Sequence, residues 1–215
     1  MRPVIAFDMD GVLVDSQALI LESLDVALAA IGQGPIDPED RGRIVGPPLR
    51  SMLELVLGES ATEAEFAACT DAYRQHNDAH GPTRTPIFPG ITEVLTELQN
   101  AATLIVVTSK RETSARSVIS GAGLSPFFTA VYGSLSDSTV ESKSQTLGRA
   151  MADFPGTAML IGDRHHDVSA AIGAGVHPVA VLWGYGSRAE LEDAGALHFA
   201  DRPDELVSVV SSLLG

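Results

Sequence analysis

VIAFDMDGVLVDS, residues 4–16, decides how this chain folds. Its first four residues are apolar and the run stops at Asp8, the form of a short strand buried on both faces. Three further runs have that form: residues 104–107 before Thr108, 159–161 before Gly162 and Asp163, and 178–182. Helical apolar spacing lies between them, at residues 91–98, 113–119, 145–151 and 168–172. Strands alternating with helices predict an α/β fold whose parallel sheet is covered on both faces. Ligands of such sheets bind beyond the carboxyl ends of the strands. Asp8, Thr108 and Asp163, far apart in sequence, are therefore expected at one crevice.

Residues 16–85 break the rhythm. They show helical segments at 19–31, 49–57 and 61–76 and no convincing strand. Gly32 to Pro38 and Gly46-Pro47-Pro48 separate these helices, and Gly81-Pro82 and Pro86 to Pro89 close the stretch. The expected organisation is a core of residues 1–15 and 86–215 interrupted by an all-helical insertion, residues 16–85, large enough for a small lid domain. The plainer alternative is extra helices packed on the sheet.

With 215 residues, of which 45% are hydrophobic, the chain can bury a real core, so disorder is excluded as its main state. A formal net charge of -14 opposes binding to nucleic acid polymers and anionic membranes, and points to small-molecule partners. One cysteine, Cys69, permits no internal disulfide and suits a reducing cytoplasm. The opening MRPVIAF meets Asp8 too soon for a secretory signal, and no apolar run reaches the roughly 18 residues of a membrane span.

Asp8 and Asp10, two carboxylates at i and i+2 off a strand end, repel each other unless a cation or a shared proton intervenes. Oxygen ligands of this kind suit Mg²⁺, although Asp10-Gly11 also reads as an ordinary turn. Thr108-Ser109-Lys110 is expected at a helix N-terminus, where free amides and the helix dipole suit an anion and where Thr and Ser also serve as caps. Gly162-Asp163-Arg164-His165-His166-Asp167 offers one carboxylate to bind a metal and another to position its waters. The two histidines do not make a zinc site, since no third His or Cys has suitable spacing. Of 14 basic residues only Lys110 and Lys143 are lysines, and Lys143 opens an amphipathic helix.

In order, these segments resemble the four motifs of the haloacid dehalogenase-like hydrolase superfamily: FDMDGVLVDS, Thr108-Ser109-Lys110, Lys143 and GDRHHD. The insertion after the first motif resembles the type-1 cap. Gly46-Pro47-Pro48-Leu49, Tyr132-Gly133-Ser134 and Leu182-Trp183-Gly184-Tyr185-Gly186 are similar to the phosphoglycolate phosphatase-like and 5′-nucleotidase-like groups. The resemblance implies a Rossmann-like core and a Mg²⁺-dependent phosphatase acting on a small phosphomonoester, phosphoglycolate-like or a nucleoside 5′-monophosphate. It makes Asp8 the nucleophile that forms an aspartyl-phosphate and Asp10 the general acid and base. Mg²⁺ would be held by Asp8, the Asp10 carbonyl and Asp163, with Asp167 as ligand or support. Thr108 and the Ser109 amide would bind phosphoryl oxygens, with Lys110 adding positive potential. Lys143 would neutralise charge on nucleophile and phosphoryl group, worth roughly 3 to 4 kcal/mol in a dry site.

Sister activities separate on single residues. Asp10 argues against dehalogenase chemistry, and the absence of lysine in residues 16–85 excludes a cap Schiff base. A sugar phosphomutase of the β-phosphoglucomutase kind shares all four motifs and stays open, as does a non-catalytic phosphometabolite-binding module. Arg50 is the cap cation expected at the substrate, with a surface arginine on an exposed helix as the equal alternative, and Arg43, Gln75, His76 and Asn77 are further polar candidates. The expected partner is a small phosphorylated metabolite, and the expected state is a cytoplasmic monomer or homodimer.

Overall fold

The computed structural model describes residues 2–135 and 141–215, leaving out the side chain of Arg43. Six parallel strands form one sheet: β1 (Val4–Phe7), β2 (Thr103–Arg111), β3 (Ala130–Ser134), β4 (Thr157–Gly162), β5 (His177–Val181) and β6 (His198–Ala200), in the order β3-β2-β1-β4-β5-β6. The strand with the first acidic pair is thus flanked by the two strands whose ends carry the next polar motifs. Phe7 pairs with Val106 on one side and Ile161 on the other. This register makes Asp8, Thr108 and Asp163 leave neighbouring strands at one end of the sheet, as the crevice argument requires.

Side chains alternate across β1, and both faces are buried because helices cover both. Ile5 and Phe7 join Leu104, Val106, Met159 and Ile161 under α5 (Ile91–Ala101), α6 (Glu112–Gly121) and α10 (Leu206–Leu214). Val4 and Ala6 face the other way, with Ile105, Val107 and Leu160, under α7 (Lys143–Asp153) and α8 (His165–Ala174). A further helix, α9 (Arg188–Asp193), follows β5.

Between β1 and α5 the chain is helical: α1 (Gln17–Ala30), α2 (Arg41–Ile44), α3 (Leu49–Leu57) and α4 (Glu63–Arg84). These helices bury an apolar cluster of their own, including Leu24, Leu28, Leu53, Phe66 and Tyr73. The segment leaves and rejoins the sheet at adjacent points, where the Asp15 amide donates to the Pro86 carbonyl at 2.8 Å and Val14 bridges Ile87.

Three expectations need correction. Gly81-Pro82 does not end the helical stretch but lies within α4. Pro82 removes the N–H that would bond the Asp78 carbonyl, α4 ends two residues later, and the Thr85 hydroxyl donates to the Gly81 carbonyl at 2.8 Å. β3 and β6 lacked a continuous apolar run: β3 holds Tyr132 and Gly133, and β6 is a three-residue edge strand. Finally, Thr108-Ser109-Lys110 is not a helix N-terminus. β2 continues through Arg111 and α6 starts at Glu112, so the strand's terminal residues, not helix caps, present the two hydroxyls.

Candidate active site

Asp8 sits where β1 ends, its amide bonded to the Ile161 carbonyl at 2.8 Å. The chain then turns tightly: the Met9 carbonyl accepts from the Leu13 amide at 2.9 Å, and Gly11, at φ 83°, makes the reversal. A β-carbon at Gly11 would overlap the Asp163 carboxylate, so glycine is required there by both backbone and space. Trp183 steadies the turn, its indole N–H donating to the Val12 carbonyl at 3.1 Å.

Lys143 reaches this point from the first position of α7, which is fixed by a reciprocal cap between Ser142 and Gln145. Its ammonium is 2.6 Å from Asp8 Oδ1 and 2.9 Å from Asp167 Oδ1, with only 2% of the side chain exposed. Burial alone would lower the lysine's pKa, but Asp167 and Asp8 more than reverse this and raise it. Burial raises Asp8 to about 7, with Asp167 and Asp10 adding to the rise and Lys143 opposing it. Asp167 goes the other way: its burial is outweighed by Lys143, His166 and an N–H bond from Arg164.

Asp163 is fully buried, and one carboxylate oxygen accepts the Tyr185 amide at 2.7 Å. Its other oxygen, like Asp10 Oδ1, is buried without a hydrogen-bond partner among the described residues. Burial, then Asp167 and Asp8, push the Asp163 pKa well above its usual range. Buried carboxylates crowded together, with oxygens facing no donor, fit a hard divalent cation. Donor atoms of Asp8, His166 and Asp167 also lie within 4.8 Å of one another. The Lys143 ammonium, however, already contacts two of those three, so an ion fits better on the Asp163 side of Asp8. His165 turns away, its ring nitrogen 2.9 Å from Glu190.

Thr108 is buried, its hydroxyl accepting the Lys110 amide at 3.2 Å, and the Ser109 hydroxyl is buried without a hydrogen-bond partner among the described residues. The Lys110 ammonium stands 3.5 Å from Asp10. These residues, with Asp8, Asp10 and Asp163, form one wall of a cleft whose opposite wall is Ile20, Leu49, Met52 and Tyr73 from the helical segment. Arg50 lines this cleft too, but its guanidinium is held by Glu54 at 2.9 Å and Glu63 at 3.0 Å and lies over Phe66. Its charge is therefore already matched within the helical segment. His76 is not among the residues lining the cleft, its ring nitrogens lying 3.0 Å from the Ser23 hydroxyl and 3.3 Å from Glu22, and Arg43's side chain lies outside the described residues. Gln75 is not among the residues lining the cleft, whereas Asn77 is.

Sequence reasoning gave no separate role to Tyr185 or Arg164. The Tyr185 hydroxyl accepts the Ser16 amide at 2.9 Å, linking the Asp163 carboxylate to the start of the helical segment. Only the Leu182 to Gly186 stretch hinted at it.

Residues 5–181 match the haloacid dehalogenase-like hydrolase family. The chain belongs to this family. Among relatives of this haloacid dehalogenase-like hydrolase, the tyrosine-protein kinase PtkA of Mycobacterium tuberculosis is 37% identical over 88% of the chain, which spans only 65% of that protein's length. A 5′-nucleotidase of Pseudomonas aeruginosa is 34% identical, covering 92% of this chain and 90% of the other. A phosphoglycolate phosphatase of Caulobacter vibrioides is 30% identical, covering 97% and 92%. Among solved structures, a predicted phosphatase from Clostridium acetobutylicum superposes with TM-score 0.90 at 28% identity, over 99% of both chains.

Proposed function

We propose that this hydrolase is a Mg²⁺-dependent phosphatase of a small phosphomonoester, working through an aspartyl-phosphate on Asp8. The observation that carries the reading is Asp8 at the cleft floor, ion-paired to a buried Lys143, with Asp10 beside it. An Asp8 oxygen attacks phosphorus and the ester P–O bond breaks, while Asp10 gives its proton to the leaving alkoxide. Water then attacks the acyl phosphate as Asp10 takes its proton, and Asp8 is released with inorganic phosphate. Thr108 and Ser109 bind phosphoryl oxygens, and Lys143 favours the ionised form of Asp8 against the effect of burial and offsets negative charge as it shifts in the transfer. Asp8, the Asp10 carbonyl and Asp163 would hold Mg²⁺, with Asp167 orienting Lys143 and supporting the site. When bound, the metal supplies positive charge to nucleophile and phosphoryl oxygens alike.

The substrate is a small phosphorylated metabolite of the phosphoglycolate or nucleoside 5′-monophosphate kind, a reading supported by the names of two relatives. The kinase-named relative favours a second reading, in which an acceptor hydroxyl takes the place of water; a sugar phosphomutase would use the same step. The enzyme is read as cytoplasmic, monomeric or homodimeric; no helix among the described residues is long and apolar enough to cross a membrane. A phosphate-release screen over 2-phosphoglycolate, nucleoside monophosphates and hexose phosphates tests this, run with Mg²⁺ and with EDTA and with isomerisation and protein phosphorylation followed alongside. Release that stops with EDTA and returns with Mg²⁺ is expected. Restoration by zinc alone would refute the metal assignment, and phosphoryl transfer without phosphate release would favour the second reading.

A further inference from the structure

Arg164, the residue after Asp163, reaches from the core into the helical segment. Its guanidinium donates to the Val45 carbonyl through one terminal nitrogen and to Glu190 through Nε at 2.8 Å. Glu190 is itself set in place, accepting the His165 amide at 3.0 Å, and the Ser187 hydroxyl caps its helix by accepting the Glu190 amide at 3.1 Å. The far end of the contact is equally specific. Gly46 adopts φ 126°, and a β-carbon there would overlap the guanidinium. Pro47 and Pro48 follow, so the loop has two positions without an N–H and little means of being held by backbone ladders. Pro47, Pro48 and Leu49 line the cleft together with Asp8 and Asp10.

We infer that Arg164 is a positioning residue that sets where the loop of residues 45–49 stands over the reacting carboxylates. Its kinetic consequence rests on the phosphatase reading; its conformational one does not. In Arg164→Gln, amide hydrogen exchange in the peptide spanning residues 41–57 should quicken roughly tenfold to a hundredfold, the factor set by one charged hydrogen bond, while β1 and β4 keep their protection. Arg164→Lys, which cannot serve Val45 and Glu190 with a planar fork, should show a smaller change in the same peptide. With p-nitrophenyl phosphate as probe, KM should rise about tenfold and kcat change little, since the loop positions the substrate but takes no part in the chemical step. Unchanged exchange at 41–57 in both variants, or a change spread evenly over the sheet in both, overturns the inference. A wild-type protein without phosphatase turnover would instead count against the proposed function and leave the exchange result to judge Arg164.

Discussion

Lys143 is a cation with almost no contact with water, held between two carboxylates. Its removal leaves buried negative charge unmatched, which is costly to the fold as well as to chemistry. Lys143→Met should lower kcat by about 10²–10³-fold, the scale of losing one preorganised electrostatic group. Steady-state kinetics of folded protein checks this. Asp10→Asn removes the acid of the first step and the base of the second; with p-nitrophenyl phosphate, whose phenolate leaves with little need of a proton, the second step should suffer more, so a phosphorylated protein should accumulate and be seen as an intact-mass adduct. Glu190 gives a pH prediction. Its burial is outweighed by bonds from Arg164 and His165, which hold its pKa down to about 2. A depressed folded pKa adds stability above the usual glutamate value near 4.5 and loses it as pH falls towards 2. The melting-temperature gap between wild type and Glu190→Gln should therefore narrow as pH falls from 4.5 towards 2, the window those two pKa values bound. A gap constant across that range would contradict it.

At the scale of elements, the Ser142–Gln145 cap fixes the start of α7 and so the origin of Lys143. Ser142→Ala should cost about 1 kcal/mol of stability and lower activity more than the cap energy alone suggests, because Lys143 loses its anchor. Thermal melts paired with kinetics separate the two effects. The same element shows what sequence could reveal. Lys143 drew notice because lysine is rare in this chain, Asp8 and Asp163 because they follow apolar runs of the form of a buried strand, and Asp10 and Asp167 because of their spacing from those two. β3 and β6 were invisible for the opposite reason: they are the two edge strands of the sheet, and edge strands need no continuous apolar run. Arg164 and Tyr185 were not legible as links to the helical segment, since their partners Val45 and Ser16 are remote in sequence and are bonded through backbone atoms that carry no side-chain signature. Arg50 lines the cleft, as a cation after a Gly-Pro-Pro turn suggests, but its pairing with Glu54 and Glu63 was not legible in the sequence.

Across the whole molecule, a net charge of -14 opposes an anionic substrate, yet Lys110 lines the cleft at the end of β2 and Lys143, at the start of α7, is buried against Asp8. On the proposed reading, local charge focused by burial outweighs that global balance. The same crowding of carboxylates should make the protein respond to divalent metal. Mg²⁺ should raise the melting temperature, by the equivalent of about 1.4 kcal/mol at ten times its Kd, and Asp163→Asn should abolish the response. Equal stabilisation of that variant would place the ion elsewhere. The central claim is that Asp8 itself receives the phosphoryl group, and turnover of p-nitrophenyl phosphate with saturating Mg²⁺ by wild type and by Asp8→Asn tests it most directly. Wild-type turnover that vanishes in the asparagine variant, with the fold retained, is the expected result; undiminished Mg²⁺-dependent turnover by Asp8→Asn would contradict it.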